Sequence, residues 1–179
     1  MKSKFEHLML DIETMGTSSN SAIVSIGAVE FNLETGEIGR TFYRNVDLQS
    51  CLDLGLHVEG STVSWWLKQT QEARESLDKH MKYSLPVALL NLSDFIDKNN
   101  YYVWGNSARF DCGIIADAYK AIQVNLPWRF FNERDVRTLV SFAPEIKKDY
   151  EFVGVAHDAL ADCIHQIGYC SKIYSTLKF

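Results

Sequence analysis

The sequence predicts an α/β fold in which a mixed β-sheet is covered by helices. Two observations predict it. Three β-rich segments with short connections open the chain, and after about residue 60 the apolar period turns helical, with short apolar strands between the helices. A length of 179 residues suits one domain, taken as residues 1–179.

The elements follow in order. Phe5–Glu13 reads as a strand, Gly16–Asn20 as a small polar turn, and Ala22–Phe31 as a second strand rich in Ile and Val. Glu34-Thr35-Gly36 signals a tight hairpin into a third strand, Ile38–Val46, so the first three strands form an antiparallel meander. Gln49–Gly60 is the least regular stretch and reads as a loop. Ser61 or Thr62 is placed to cap a helix through Trp65, Trp66 and Leu67. Ser84 with Pro86 opens another, expected to turn Val87, Leu90, Phe95 and Ile96 inward. Tyr101–Trp104 is a short strand, followed by a helix with Phe110, Ile114, Ile115 and Ala118 on one face. Trp128–Phe131 reads as a fifth strand and Val136–Phe142 as a short helix opened by an Asp135 cap. The last helix runs from about His157 to Leu177, with Leu160, Ile164, Ile167 and Ile173 on one side.

Composition narrows the function classes. A formal charge of −5 argues against a protein that coats duplexes by charge alone, although bound cations let an acidic protein hold a polyanion. Cys51, Cys112, Cys163 and Cys170 include no C-x-x-C pair, which argues against zinc, and Cys163 and Cys170 suit buried thiols. Lys2, Lys4 and Glu6 interrupt the start, so no signal peptide is expected, and no apolar run reaches a membrane span. The expectation is a reduced, cytoplasmic protein.

Three sites carry chemistry. Asp11 and Glu13 lie two apart at the end of the first strand, which sets both carboxylates on one face roughly 6.6 Å apart. Like charges this close repel unless a cation lies between them, but a solvated strand face has the same pattern. Asp111 follows Trp104-Gly105-Asn106-Ser107 in the first turns of a helix, where the helix dipole also favours aspartate. His157 and Asp162 are five apart, about 140° on a continuous helix, so they converge only if His157 precedes the helix; Gly154 makes a loop there plausible.

In this order and spacing the motifs resemble the DEDDh family of 3′-5′ exonucleases from Leu8 to about Ile167. Asp11-Ile12-Glu13-Thr14, Asp111, and His157 with Asp162 match its three motifs. Trp65-Trp66-Leu67, Trp104-Gly105-Asn106 and Asp135-Val136-Arg137-Thr138 look most like the RNase AS-like and phage-type branch, with Ser107 where that branch often has glycine. The resemblance implies an RNase H-like fold with a five-stranded mixed sheet. It implies two divalent cations, Mg²⁺ or Mn²⁺, with Asp11 bridging both, Glu13 and Asp162 completing one, and Asp111 binding partly through water. His157 would be the general base and nucleoside 5′-monophosphates the product. It also implies a homodimer acting on single-stranded nucleic acid or a 3′ overhang, with RNA favoured over DNA.

For the terminal 3′-hydroxyl the resemblance points to the Thr14-Met15-Gly16 backbone, with Met15 wedged against the terminal base and Glu13 also in reach. Phe110 stacks on the next base in this reading, against a competing core role. Only one of Trp65 and Trp66 can face inward, and Trp66 is favoured beside the site. Arg109 is a candidate phosphate partner or a surface ion pair, and Asn106 holds the loop before Asp111 or touches substrate. Asp158 reads as a helix-start charge, while His7, His57, His80 and His165 fit no site. The rival readings are a non-catalytic nucleic-acid-binding module, an endonuclease on the same scaffold and, third, an unrelated acidic metal-binding protein without phosphate chemistry.

Overall fold

Strand β1 decides where the site falls, because its alternating side chains serve two different layers. The computed structural model describes residues 4–78, 81–96 and 100–177, so His80 and Lys2 lie outside it. In chain order the elements are β1 (His7–Thr14), β2 (Ile23–Phe31), β3 (Ile38–Val46), α1 (Leu48–Asp53), α2 (Gly60–Trp66), α3 (Gln71–Ser76), β4 (Lys82–Tyr83), α4 (Leu85–Ile96), β5 (Tyr102–Gly105), α5 (Ala108–Ala121), a 3₁₀ turn (Phe130–Asn132), β6 (Glu133–Asp135), α6 (Val136–Val140), α7 (Pro144–Lys148) and α8 (Ala159–Leu177). The sheet order is β4-β3-β2-β1-β5-β6. The meander β1-β2-β3 is antiparallel, while β5 runs parallel to β1, β6 to β5, and β4 to β3.

On one face of β1, Leu8, Leu10 and Ile12 pack with Leu89 and Leu92 of α4 and Ile114, Ile115 and Tyr119 of α5. On the other, Met9 joins Val29, Phe31, Trp104 and the buried side of α8: Cys163, Ile167, Cys170 and Ile173. Every residue of β2 is buried, as a strand covered on both faces requires. Gly27 permits this layering, since a Cβ there would lie 2.5 Å from the Ala159 carbonyl oxygen at the start of α8. Helices on a mixed sheet are the expected class.

The sheet has six strands, not five. β4 is two residues long and too short to show a period, and it is recruited by backbone pairing with Asn45 and Val46. The expected strand at Trp128–Phe131 is instead a 3₁₀ turn with Phe130 and Phe131 exposed, and the strand follows at Glu133–Asp135. An edge strand held by its ladder to β5 needs no apolar run.

Several local expectations change as well. Asp47 accepts from the Ser50 amide and starts a helix, α1, that buries Cys51 inside the expected loop. α2 begins one residue earlier than Ser61, after Glu59, without a side-chain cap. In α4 the buried set is Leu85, Ala88, Leu89, Leu92 and Ile96, so Val87 and Leu90 face outward. Both stripes have helical spacing, and the sheet selects one. In α8, Ile164 is exposed and Leu160 only partly buried, because Cys163 and Cys170 complete the inward stripe with Ile167 and Ile173. Gly36, at φ 73°, turns the hairpin as expected, and Asp135 caps α6 by accepting from the Thr138 amide. Among the described residues no helix is long and apolar enough to cross a membrane.

Candidate active site

Asp11 and Glu13 continue the face of β1 that carries Met9, beyond the point where the apolar cover from α8 ends. That face meets the first turns of α8, so Asp162 and Gln166, four apart on one helix face, come over the two carboxylates. Gln166 is buried, and its Nε2 donates to Asp11 Oδ1 at 2.8 Å. Asp111 arrives from the first turn of α5. It is buried, accepts from the Asn106 amide at 2.7 Å, and has the Ile12 amide at 3.4 Å. Gly105 makes room for it, since a Cβ there would lie 2.9 Å from Asp111 Cβ.

His157 precedes α8, as convergence with Asp162 demands. Its φ is 65°, in the left-handed region that L residues rarely adopt. Two hydrogen bonds hold that backbone: its amide donates to Asp162 Oδ2 at 3.0 Å, and its carbonyl accepts from Ser76 Oγ at 3.3 Å. Asp158 starts α8 by accepting from the Leu160 and Ala161 amides, which is the helix-start role expected of it. One ligand atom each from Glu13, His157 and Asp162 lie within 4.8 Å of one another.

All five motif residues line one cavity of about 390 Å³, with Asn106, Phe110, Arg137 and Gln166. Its electrostatics are those of crowded carboxylates. Burial, then Asp111, Glu13 and Asp162, push the Asp11 carboxyl well above its ordinary range. Burial, then Asp162 and Asp111, do the same to Glu13. Burial raises Asp111 to about 7 against the hydrogen bonds from Asn106 and Ile12, and raises Asp162 to about 6 against the His157 amide. Four such groups do not ionise together at neutral pH without added positive charge. Burial lowers His157, so its imidazole favours the neutral form. Asn106 Oδ1 and Gln166 Oε1 are also buried with no hydrogen-bond partner among the described residues. The cavity is rich in oxygen acceptors and short of donors, which is what a hard divalent cation with its water shell would satisfy.

A second cavity of about 390 Å³ shares Ile12, Glu13 and Phe110 with the first and is lined further by Thr14, Gly16, Thr17, Ser61, Thr62, Trp65 and Trp66. Trp66 is buried and its Nε1 donates to the Thr14 carbonyl at 3.0 Å. Trp65 is the exposed member of the pair and packs on His157, and Trp66 also borders the site, its ring centroid 6.0 Å from that of His157. Met15 packs against the main core and lines neither cavity; its amide is committed to the Ala22 carbonyl. Phe110 is half-buried against the core and forms part of the wall of both cavities. Arg109 is exposed and lines neither; it faces an adjoining hollow with Thr17, Ser18 and Lys120. A larger cavity, about 730 Å³ between β3 and α8, carries only Asp158 as a carboxylate, so size does not locate the chemistry.

Sequence reasoning missed Gln166, Arg137 and Trp65. Gln166 had a signal, its i+4 spacing from Asp162. His7, which fitted no site, accepts from Trp104 Nε1 at 2.9 Å and packs against Phe31 and Tyr102 well away from the carboxylates.

The mixed sheet with its carboxylate-lined cavity is the RNase H-like fold that the DEDDh resemblance implies. Residues 6–174 match the 3′-5′ exoribonuclease Rv2179c-like domain, and the chain belongs to that family. The nuclease domain of 3′hExo, a DEDDh member bound to rAMP, superposes with a TM-score of 0.65 at 12% identity, over 99% of this chain and 96% of its own. The 3′-exonuclease recognising a histone mRNA stem-loop gives 0.65 at 14%, over 98% and 84%. The E. coli ExoI–ssDNA complex gives 0.69 at 16%, over 98% of this chain but 41% of its own. At these identities the likeness carries the fold. No curated protein sequence matches this chain.

Proposed function

We propose that residues 1–179 act as one exonuclease domain that trims single-stranded RNA, or a 3′ overhang, from its 3′ end and releases nucleoside 5′-monophosphates. RNA is favoured over DNA because the family is described as exoribonucleolytic. The observation that carries this reading is the meeting of Asp11, Glu13, Asp111, Asp162 and His157 around one cavity that shares Ile12, Glu13 and Phe110 with a second, aromatic-walled one.

Asp11, Glu13, Asp111 and Asp162 would hold two divalent cations, Mg²⁺ or Mn²⁺, in keeping with their crowding and with the unpartnered acceptors beside them. When bound, these ions supply charge neutralisation and Lewis acidity toward the scissile phosphate. The residues of the chain do the rest. His157, neutral through burial, accepts a proton from the attacking water. The water oxygen bonds to phosphorus as the P–O3′ bond breaks, so the departing nucleotide keeps its 5′-phosphate and the shortened strand ends in a 3′-hydroxyl. The second cavity receives the terminal nucleoside. The carbonyls of Thr14, Met15 and Gly16 already accept from Trp66, Glu59 and the Thr14 hydroxyl. Glu13, which lines both cavities, is therefore the acceptor best placed for the terminal hydroxyl. Phe110 offers a face for a base, a contact worth about 1–3 kcal/mol whatever the sequence. Arg109, and Arg137 at the cavity rim, pair with phosphates upstream. We further place the enzyme in the cytoplasm as a homodimer, which sedimentation of the purified protein checks.

The test is a 5′-labelled oligonucleotide incubated with Mg²⁺ or Mn²⁺, beside a circular strand of the same sequence. A ladder shortening from the 3′ end, mononucleotide release and complete loss with EDTA are expected. Rapid cutting of the circle would reassign the site to an endonuclease, and no turnover with either metal would leave a binding module.

A further inference from the structure

The general-base reading of His157 leaves one structural question: what aims its ring. A histidine base is usually oriented by a hydrogen bond to its second ring nitrogen. Here, among the described residues, neither imidazole nitrogen makes a hydrogen bond; both bonds at His157 are made by its backbone. The ring is contacted by aromatic faces instead. The Trp65 ring centroid lies 4.9 Å from it at 77°, and the Trp66 ring 6.0 Å away at 81°. The two indoles brace each other at 5.0 Å and 79°. Edge-to-face geometry at these distances is directional, so it restricts ring rotation as well as covering the ring.

The indoles are themselves anchored to the strand that carries Asp11 and Glu13. Trp66 Nε1 donates to the Thr14 carbonyl, and the Glu59 amide, just before α2, donates to the Met15 carbonyl at 2.7 Å. α2 therefore spans from the end of β1 to the loop before α8. It also lines the cavity assigned to the terminal nucleoside through Ser61, Thr62 and Trp65.

We propose that Trp65 is a positioning residue for His157: its indole, fixed through α2 to the end of β1, holds the imidazole toward Glu13 and Asp162. The inference rests on the reading of His157 as the base. Trp65 is 42% exposed, so its removal opens no core cavity.

The experiment is a double-mutant cycle with Trp65→Ala, Trp65→Phe, His157→Ala and Trp65→Ala/His157→Ala, measured as kcat and KM on a single-stranded oligonucleotide with Mn²⁺. Trp65→Ala is expected to lower kcat about 10–100-fold, the scale of a displaced reacting group. Trp65→Phe should recover most of that loss. In the His157→Ala background Trp65→Ala should change kcat no further. A loss of the same size in both backgrounds, or one confined to KM, would overturn the proposal and make Trp65 a base-stacking surface only. Full activity of His157→Ala would instead sink the reading beneath it. An independent readout uses the metal-free protein. The imidazole proton resonances of His157 should be displaced by the indole ring current in wild type and return to those of an unstacked histidine in Trp65→Ala. Unchanged resonances would also reject the contact.

Discussion

Gln166 Nε2 donates to Asp11 Oδ1 at 2.8 Å across the junction of α8 and β1. This ties the helix that supplies Asp162 to the strand that supplies the first two carboxylates. It fixes the orientation of a carboxylate that burial and three neighbours otherwise drive toward protonation. Partners of this kind are commonly worth about 10–100-fold in metal affinity. Gln166→Leu, which keeps the buried volume, should weaken Mn²⁺ binding by about that factor while thermal unfolding of the metal-free protein moves little. Calorimetric titration checks the first and differential scanning the second. Unchanged affinity would show that Asp11 is oriented without the helix.

Replacing a carboxylate should separate activity from stability. Asp11→Asn keeps the shape and removes a charge that Asp111, Glu13 and Asp162 oppose. Turnover should be abolished and metal binding weakened, yet the metal-free variant should melt higher than wild type. A lower melting temperature would mean that the crowding is relieved in some other way.

The pH dependence follows from the same crowding. Asp111 is raised to about 7 and Asp162 to about 6, against roughly 4 for an unfolded aspartate. The folded metal-free state thus binds protons that the unfolded state has released. The cluster's contribution to stability is greatest at low pH and falls as pH rises from about 4 to about 7. The melting-temperature difference between Asp111→Asn and wild type, without metal, should grow more positive across that window. Metal must displace the same protons, so Mn²⁺ affinity should rise from about pH 6 to about pH 8. A flat affinity profile would contradict the raised values.

Gly105 tests the geometry of the second carboxylate. A Cβ there would meet Asp111 Cβ at 2.9 Å, Asp111 Oδ2 at 3.0 Å and Ala108 Cα at 3.2 Å. Gly105→Ala should cost about 1–3 kcal/mol by overpacking. Because Asp111 is displaced, it should also lower kcat by about 100-fold. Stability and kcat measured on the same preparation check whether the rate loss exceeds what the unfolded fraction explains.

Arg137 lines the carboxylate cavity and is itself exposed. If it meets a substrate phosphate, Arg137→Ala should raise KM with little change in kcat. The dependence of log KM on log salt should become shallower by about 0.7, the value for one phosphate contact on a single strand. An unaltered salt slope would place Arg137 outside the substrate path.

Much of this site could be read along the chain because its elements follow local rules. Period-two alternation sets Asp11 and Glu13 on one face of β1, and the first turn of α5 places Asp111. The impossibility of meeting Asp162 across a continuous helix turn moves His157 off α8, where the structure finds it at positive φ. Each of these follows from backbone geometry within a few residues. The three-strand meander and the helical cover are legible for the same reason.

The tertiary structure decided whatever depends on two segments distant in the chain. Trp65 and Trp66 are adjacent and chemically alike, and only the position of α2 over β1 sends one into the interior and the other onto His157. β4 and β6 exist because a neighbouring strand offers them hydrogen bonds, and their side chains carry no sign of it. Which of two helical stripes on α4 turns inward is set by the sheet beneath it, since helical spacing is satisfied by either. Local periodicity fixes where a side chain points relative to its own element, and packing fixes what it finds there.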